Sequence, residues 1–264
     1  MIPFFRKIRK KMADDNRPLK PAWPAGRYMR YAIGEIVLVV VGILIALYIN
    51  NWNEGRIERR IEFLYFERLS DDLEVDIKYY DKRIRQAENT INDLSTFVSQ
   101  LYEFQQGIDE ILELFSHLDL RTDPFTTANS TFQELLSTGD FRTIKNDSLK
   151  KIIIEYYRIN DDFKNQMEEY NAVSTNLLVE NFAINPNVMK TYFMLYSSSV
   201  SSPIIEGEFD YINEPKSHKF QILRETALVY LSRNQEHLEI LKQMKLNAER
   251  VSLQIENEYN LSNR

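Results

Sequence analysis

From Tyr31 to Ile49 the chain carries nineteen residues with a single charge, Glu35. As a helix, that run is about 28 Å long, close to the thickness of a bilayer's hydrocarbon core. Aromatic residues mark both ends, Tyr28 and Tyr31 on one side and Tyr48 and Trp52 on the other. Such rings settle at membrane–water interfaces. A cleaved signal peptide has a shorter apolar core and small residues before the cut, whereas this run ends in Tyr48-Ile49-Asn50-Asn51. The expectation is an uncleaved transmembrane helix over 31–49. It divides the chain into a tail (1–30), the span, and a large body (50–264).

Charge orients the span. Residues 1–30 hold nine Lys or Arg against Asp14 and Asp15, while residues 50–264 hold 24 basic and 36 acidic residues. Basic flanks stay on the cytoplasmic side, so the tail is expected in the cytoplasm and the acidic body beyond the membrane. The acidic body also argues against nucleic-acid binding, which needs a basic face. Within the tail, Phe5, Ile8 and Met12 fall on one helical face among basic residues, a pattern suited to a helix lying on anionic lipid. Pro18, Pro21 and Pro24 make 16–26 a linker. The chain has no Cys, which excludes disulfides and thiolate chemistry.

Glu35, Val39, Gly42, Ala46 and Asn50 recur at spacings of three or four and so share one face of the span. Gly42 and Ala46 form a small-xxx-small pair, which lets two helices approach closely. Glu35, Gly42, Ala46 and Asn50 are the candidate residues for packing against another transmembrane helix. A competing reading places the Glu35 carboxylate among the headgroups near the helix N-terminus, where negative charge is favourable.

Beyond the span, Leu73, Ile77, Tyr80, Ile84, Ala87, Ile91, Leu94, Val98 and Leu101 alternate spacings of four and three. That is a heptad seam over four repeats. Followed backwards it passes through Ser70, Phe66 and Phe63 to Arg59 and Arg56, which predicts a looser seam near the membrane and a kink at Gly55. Two further amphipathic stretches, 147–182 and 217–260, offer partners within the chain. The expected fold is all-α: one N-terminal transmembrane helix, then a long-helix antiparallel bundle resembling a coiled coil. Short helices are expected over 108–118 and after a capping box at Thr131 and Glu134, the latter ending at Gly139. Asn146 or Asp147 caps the next long helix. Pro186 ends it, with a short helical turn over 188–196 and loop over 197–216.

No catalytic constellation emerges. His117, His218 and His237 are far apart, and no metal-ligand spacing, phosphate loop or nucleophile motif occurs. Asp71-Asp72 and Asp161-Asp162 read as solvated helix faces. Neither a catalytic residue, a metal ligand nor a cofactor is expected, and the chain reads as non-enzymatic.

The stretch from Tyr31 to Glu54, YAIGEIVLVVVGILIALYINNWNE, resembles a family of single-span inner-membrane proteins of unknown function from Bacteroidota. The head Phe4-Phe5-Arg6-Lys7-Ile8-Arg9, the stretch Asn129–Asn146 and Ile153-Ile154-Glu155-Tyr156-Tyr157 fit it too. The resemblance implies a Gram-negative inner membrane and a periplasmic body, and it carries over no active site. The leading expectation is therefore an anchored periplasmic scaffold or accessory subunit of an envelope complex, a homo-oligomer or partner of another membrane protein. One alternative is a periplasmic sensor whose ligand sits near 129–146 and whose output passes through a membrane partner. The other is an envelope hydrolase using Asp and Glu.

Overall fold

The computed structural model describes residues 24–103, 108–118, 124–185 and 210–262. Among them there is no strand. Among the described residues five α-helices follow one another: α1 (Pro24–Glu103), α2 (Ile108–His117), α3 (Ser130–Thr138), α4 (Asp147–Ile184) and α5 (His218–Ser262). Short 3-10 turns occur at Asp140–Thr143 and Asp210–Asn213. The chain divides into two compact units, Met1–Glu58 and Arg59–Arg264.

In the first unit, α1 opens at Pro24, whose fixed φ suits a first helical position and whose missing N–H costs nothing there. The expected linker therefore ends there rather than at residue 26. No proline occurs between Pro24 and Pro124, and the helix continues through Gly55. This helix contains a stretch near the N-terminus that is long and apolar enough to cross a membrane, with none of that stretch buried inside the chain. Side chains such as Ile36, Leu44 and Ile49 are more than half exposed. Apolar surface of that extent fits a lipid solvent. The amphipathic head at Phe5, Ile8 and Met12 lies outside the described residues.

The second unit is a bundle whose long members are the latter part of α1, α4 and α5. α1 and α4 run parallel: Glu62 meets the backbone of Lys145, and Asp76 meets Tyr156. α5 runs antiparallel to both. Asp81 and Glu88 pair with Lys245 and Lys242, and Asn146, Ser174 and Asn181 bond to Glu258, Arg233 and Thr226. Two parallel neighbours need a return connection. Here the segment between α1 and α4, carrying α2 and α3, makes it.

Leu73, Tyr80, Leu94 and Val98 of the seam are buried, while Ile77, Ile84 and Ile91 are partly so. Each fully buried apolar side chain contributes about 1.5–3 kcal/mol. Toward Arg59 the packing continues past Ser70, with Tyr65, Phe66 and Leu69 buried as well. It loosens only below Glu62. One core cluster joins Phe66, Leu73 and Tyr80 to Phe125, Leu135, Ile144, Tyr156, Met244 and Val251. A second joins Leu94, Phe97 and Leu101 to α2, Tyr211, Ile212 and the start of α5. Tyr211 and Ile212 are buried in a stretch with a loop-like sequence. The stretch 188–196 lies outside the described residues.

Local signals explain the ends of the elements. Asn146 caps α4, its Oδ1 accepting from Ser148 N (3.0 Å) and Leu149 N (3.1 Å). Gly139 closes α3 at φ +75°, a left-handed conformation that glycine adopts without strain. The capping box is not formed. Thr131 and Glu134 do not bond each other, and the N-cap Asn129 makes no side-chain cap bond. The reason lies across the bundle, on α1.

Candidate functional site: a polar strap along the first helix

Five polar residues of α1, Glu62, Tyr65, Arg68, Asp72 and Asp76, recur at the seam's own spacing of three and four on one flank of the helix. Each holds a successive part of the segment 128–145, which runs along α1 in the opposite direction. Asp76 Oδ1 accepts from Ala128 N at 2.7 Å, and Asp72 Oδ2 accepts from Thr131 N at 3.1 Å. Arg68 forks onto the Glu134 carboxylate, Nη1 donating to Oε1 at 2.9 Å. The Tyr65 hydroxyl donates to Asp140 Oδ2 at 2.9 Å. Glu62, 3% exposed, accepts from Lys145 N at 2.7 Å.

This arrangement displaces the capping box. Asp72 satisfies an unpaired N–H of the first turn of α3 and places negative charge at that helix's positive end. Glu134 is drawn outward to Arg68, a bidentate pair that fixes geometry better than a lone ion pair. Arg68 and Glu134 are each more than a third exposed, so the pair's stabilising effect is small.

Asp76 is the innermost member. It is 1% exposed and accepts a second hydrogen bond, from the Tyr156 hydroxyl at 2.7 Å. The Tyr156 and Tyr80 oxygens are 3.5 Å apart. The Tyr157 hydroxyl donates to the Ala128 carbonyl at 3.3 Å, so Ala128 is held through both its backbone groups. Aromatic rings seal the site: Phe132 stacks on Tyr157 at 4.1 Å and Phe125 lies parallel to Tyr80 at 6.0 Å. Burial pushes the Asp76 carboxyl up to about 6, and the like charge of Asp72 adds to the rise, against the lowering by its two donors. Burial also holds the hydroxyls of Tyr80, Tyr156 and Tyr157 well above the ordinary phenol range, so all three remain protonated donors. The Asp76 carboxylate holds one backbone N–H and one tyrosine hydroxyl.

A second polar layer lies between α4 and α5. Arg233 donates to Ser174 Oγ at 3.1 Å and stacks over Tyr230 at 4.3 Å. Asn181 donates to Thr226 Oγ1 at 3.2 Å, and Asn185 to the Lys219 carbonyl at 3.0 Å. His237, 7% exposed, bonds to the Met167 backbone; burial first, then the charges of Arg233 and Arg83, push it down to about 4. It is a neutral core histidine. His218 is exposed at the start of α5. Among the described residues no group of His, Asp and Glu is arranged to hold a metal.

The other expected residues separate. Asp71, Asp161 and Asp162 are exposed, and Asp162 pairs with Arg158 at 2.8 Å. Glu35, Gly42, Ala46 and Asn50 are exposed in the single chain, and a Cβ on Gly42 would meet nothing within 4 Å. Two small cavities occur in the body. One of about 100 Å³ is lined by Gln100, Ile111, Ile212 and Phe220, and one of about 20 Å³ by Phe97, Phe115, Leu178 and Tyr230. Both fall well below the ~300 Å³ at which ligand pockets begin.

The polar strap was missed in the sequence because its partners, three backbone N–H groups and the Glu134 and Asp140 carboxylates, lie more than fifty residues away. The one available signal was a second set of heptad-spaced residues, polar rather than apolar, beside the seam.

No curated protein and no solved structure matches the chain. A family model does match, over residues 35–171, which takes in most of the apolar span, the α1 flank, the strap and Tyr156 with Tyr157 but none of α5. The chain belongs to that family, DUF6090, a family of unknown function.

Proposed function

We propose that this is a non-enzymatic, single-span protein of a bacterial inner membrane. Its tail is cytoplasmic and its helical body periplasmic, and it serves as a scaffold or accessory subunit of an envelope complex through self-association in the membrane. One observation carries this reading. The body turns its apolar faces and most of its buried polar groups inward onto one another, while the span keeps an exposed face with Gly42 and Ala46, and a Cβ on Gly42 would meet nothing within 4 Å among the described residues. Close approach of small residues drives helix pairing in lipid, and Glu35 and Asn50 on the same face add polar contacts.

The chain lacks cysteine, so single cysteines report cleanly. Ala46→Cys in the full chain, oxidised in native membranes, is expected to give a disulfide-linked dimer. A cysteine at Val40, off that face, gives much less. A strict monomer on native gels, with no co-purifying protein and equal crosslinking from both positions, overturns the proposal.

A further inference from the structure

Asp76 is enclosed by three elements: its own helix, the 124–128 segment and α4. The groups facing it are Asp72 and Tyr80 on α1, the Ala128 N–H on the strap, and Tyr156 and Tyr157 on α4. The Ala128 N–H and the Tyr156 hydroxyl stabilise the carboxylate, but it is 1% exposed, Asp72 beside it shares its sign, and none of the groups facing it is a cation. Burial outweighs the two donors, so negative charge on Asp76 is disfavoured while the strap is seated. With the strap lifted, water reaches the carboxylate and the penalty disappears.

We propose that the 124–131 strap is a proton-operated latch, with Asp76 as its proton-binding group: proton uptake tightens the strap against α1 and α4, and proton loss loosens it. The direction follows from linkage. The seated state holds the proton more strongly than the lifted state, so acidification favours the seated state. The Asp76 carboxyl keeps its proton up to about pH 6 when seated, against an ordinary value of 3.8, which sets the window between those two. The proton comes from solvent and returns to it. One carboxyl oxygen still accepts from Ala128 N after protonation. The Tyr156 hydroxyl, which then shares its partner with a new O–H, has the Tyr80 oxygen 3.5 Å away as an alternative acceptor. Loosening at neutral pH uncovers Phe125 and Phe132, so the latch gates an aromatic edge of the bundle. It does not depend on self-association of the span.

Hydrogen exchange of the full chain in lipid nanodiscs tests it, read at the Ala128 and Thr131 amides and corrected for the intrinsic pH dependence. Wild type is expected to show at least about tenfold stronger protection at pH 4.5 than at pH 7, with a ceiling near hundredfold set by a shift of about two pK units. Asp76→Asn is expected to flatten that dependence at these amides while leaving protection of α5 intact. Tyr156→Phe removes a donor that favours the ionised carboxylate, so it is expected to move the midpoint upward. This second variant decides the matter should Asp76→Asn fail to fold. Protection independent of pH in wild type, an unchanged dependence in Asp76→Asn, or a midpoint unmoved by Tyr156→Phe overturns the latch.

Discussion

Two buried titratable residues act on stability in opposite directions. Asp76 has a raised value, about 6, so the folded state binds its proton more strongly than the unfolded chain does. Its contribution is full at low pH and is lost as pH rises from about 4 to 6, a total of about 3 kcal/mol by the one-unit rule. His237 has a depressed value, about 4 against 6.5. The unfolded chain binds that proton more strongly, so its contribution is full above 6.5 and is lost as pH falls toward 4. Over the shared window the two slopes oppose each other. Urea midpoints of the full chain between pH 4.5 and 6 are expected to separate them. Relative to wild type, Asp76→Asn gains stability as pH rises and His237→Gln loses it, each by up to about 1.4 kcal/mol per pH unit. Parallel curves for all three proteins would refute both assignments. Asp76→Ala leaves the Ala128 N–H without its partner and opens a gap, so it is expected to cost more than Asp76→Asn at neutral pH, by about 1–3 kcal/mol.

At the scale of elements, the strap is fixed by contacts of unequal weight. Asp72→Ala removes an acceptor from the first turn of α3 and is expected to destabilise the body by about 1 kcal/mol. Arg68→Ala removes a half-exposed pair and is expected to cost less than that. Asn146→Ala removes the α4 cap together with its bond to Glu258, and is expected to cost about 1–2 kcal/mol. Gly139→Ala forces a Cβ into the left-handed region, at about 1–2 kcal/mol, although no atom lies within 4 Å of that Cβ. Chemical denaturation of the four variants ranks them, and Arg68→Ala as the most damaging would contradict the strap geometry. Asn146 and Gly139 were legible in the sequence because each acts on backbone within three residues of itself. Thr131 and Glu134 misled, since the same local pattern is overridden once Asp72 and Arg68 arrive from α1.

At the scale of the molecule, the proposed topology makes a simple prediction. In the otherwise cysteine-free chain, Ser232→Cys on exposed α5 is expected to react with a membrane-impermeant maleimide from the periplasmic side of intact inner membrane. Ala13→Cys in the tail is expected to react only after the membrane is opened. The reverse labelling pattern would invert the orientation, and labelling of both from one side would remove the span. The basic tail and acidic body are the physical ground for the expected direction, since positive flanks resist translocation.

The apolar stretch, the all-helical class, the three long helices, the Asn146 cap and the Gly139 stop are legible in the sequence alone. These depend on periodicity, on the scarcity of Gly and Pro, and on bonds between near neighbours. The tertiary structure decided which helices run parallel, where the strap lies, and that Asp72 and Asp76 hold backbone instead of facing water. Amphipathic faces state that a helix must be covered, but several pairings cover them equally well. The choice among them rests on contacts such as Asp76 with Tyr156 and Ala128, which join residues fifty to eighty positions apart and leave no periodic trace in the chain.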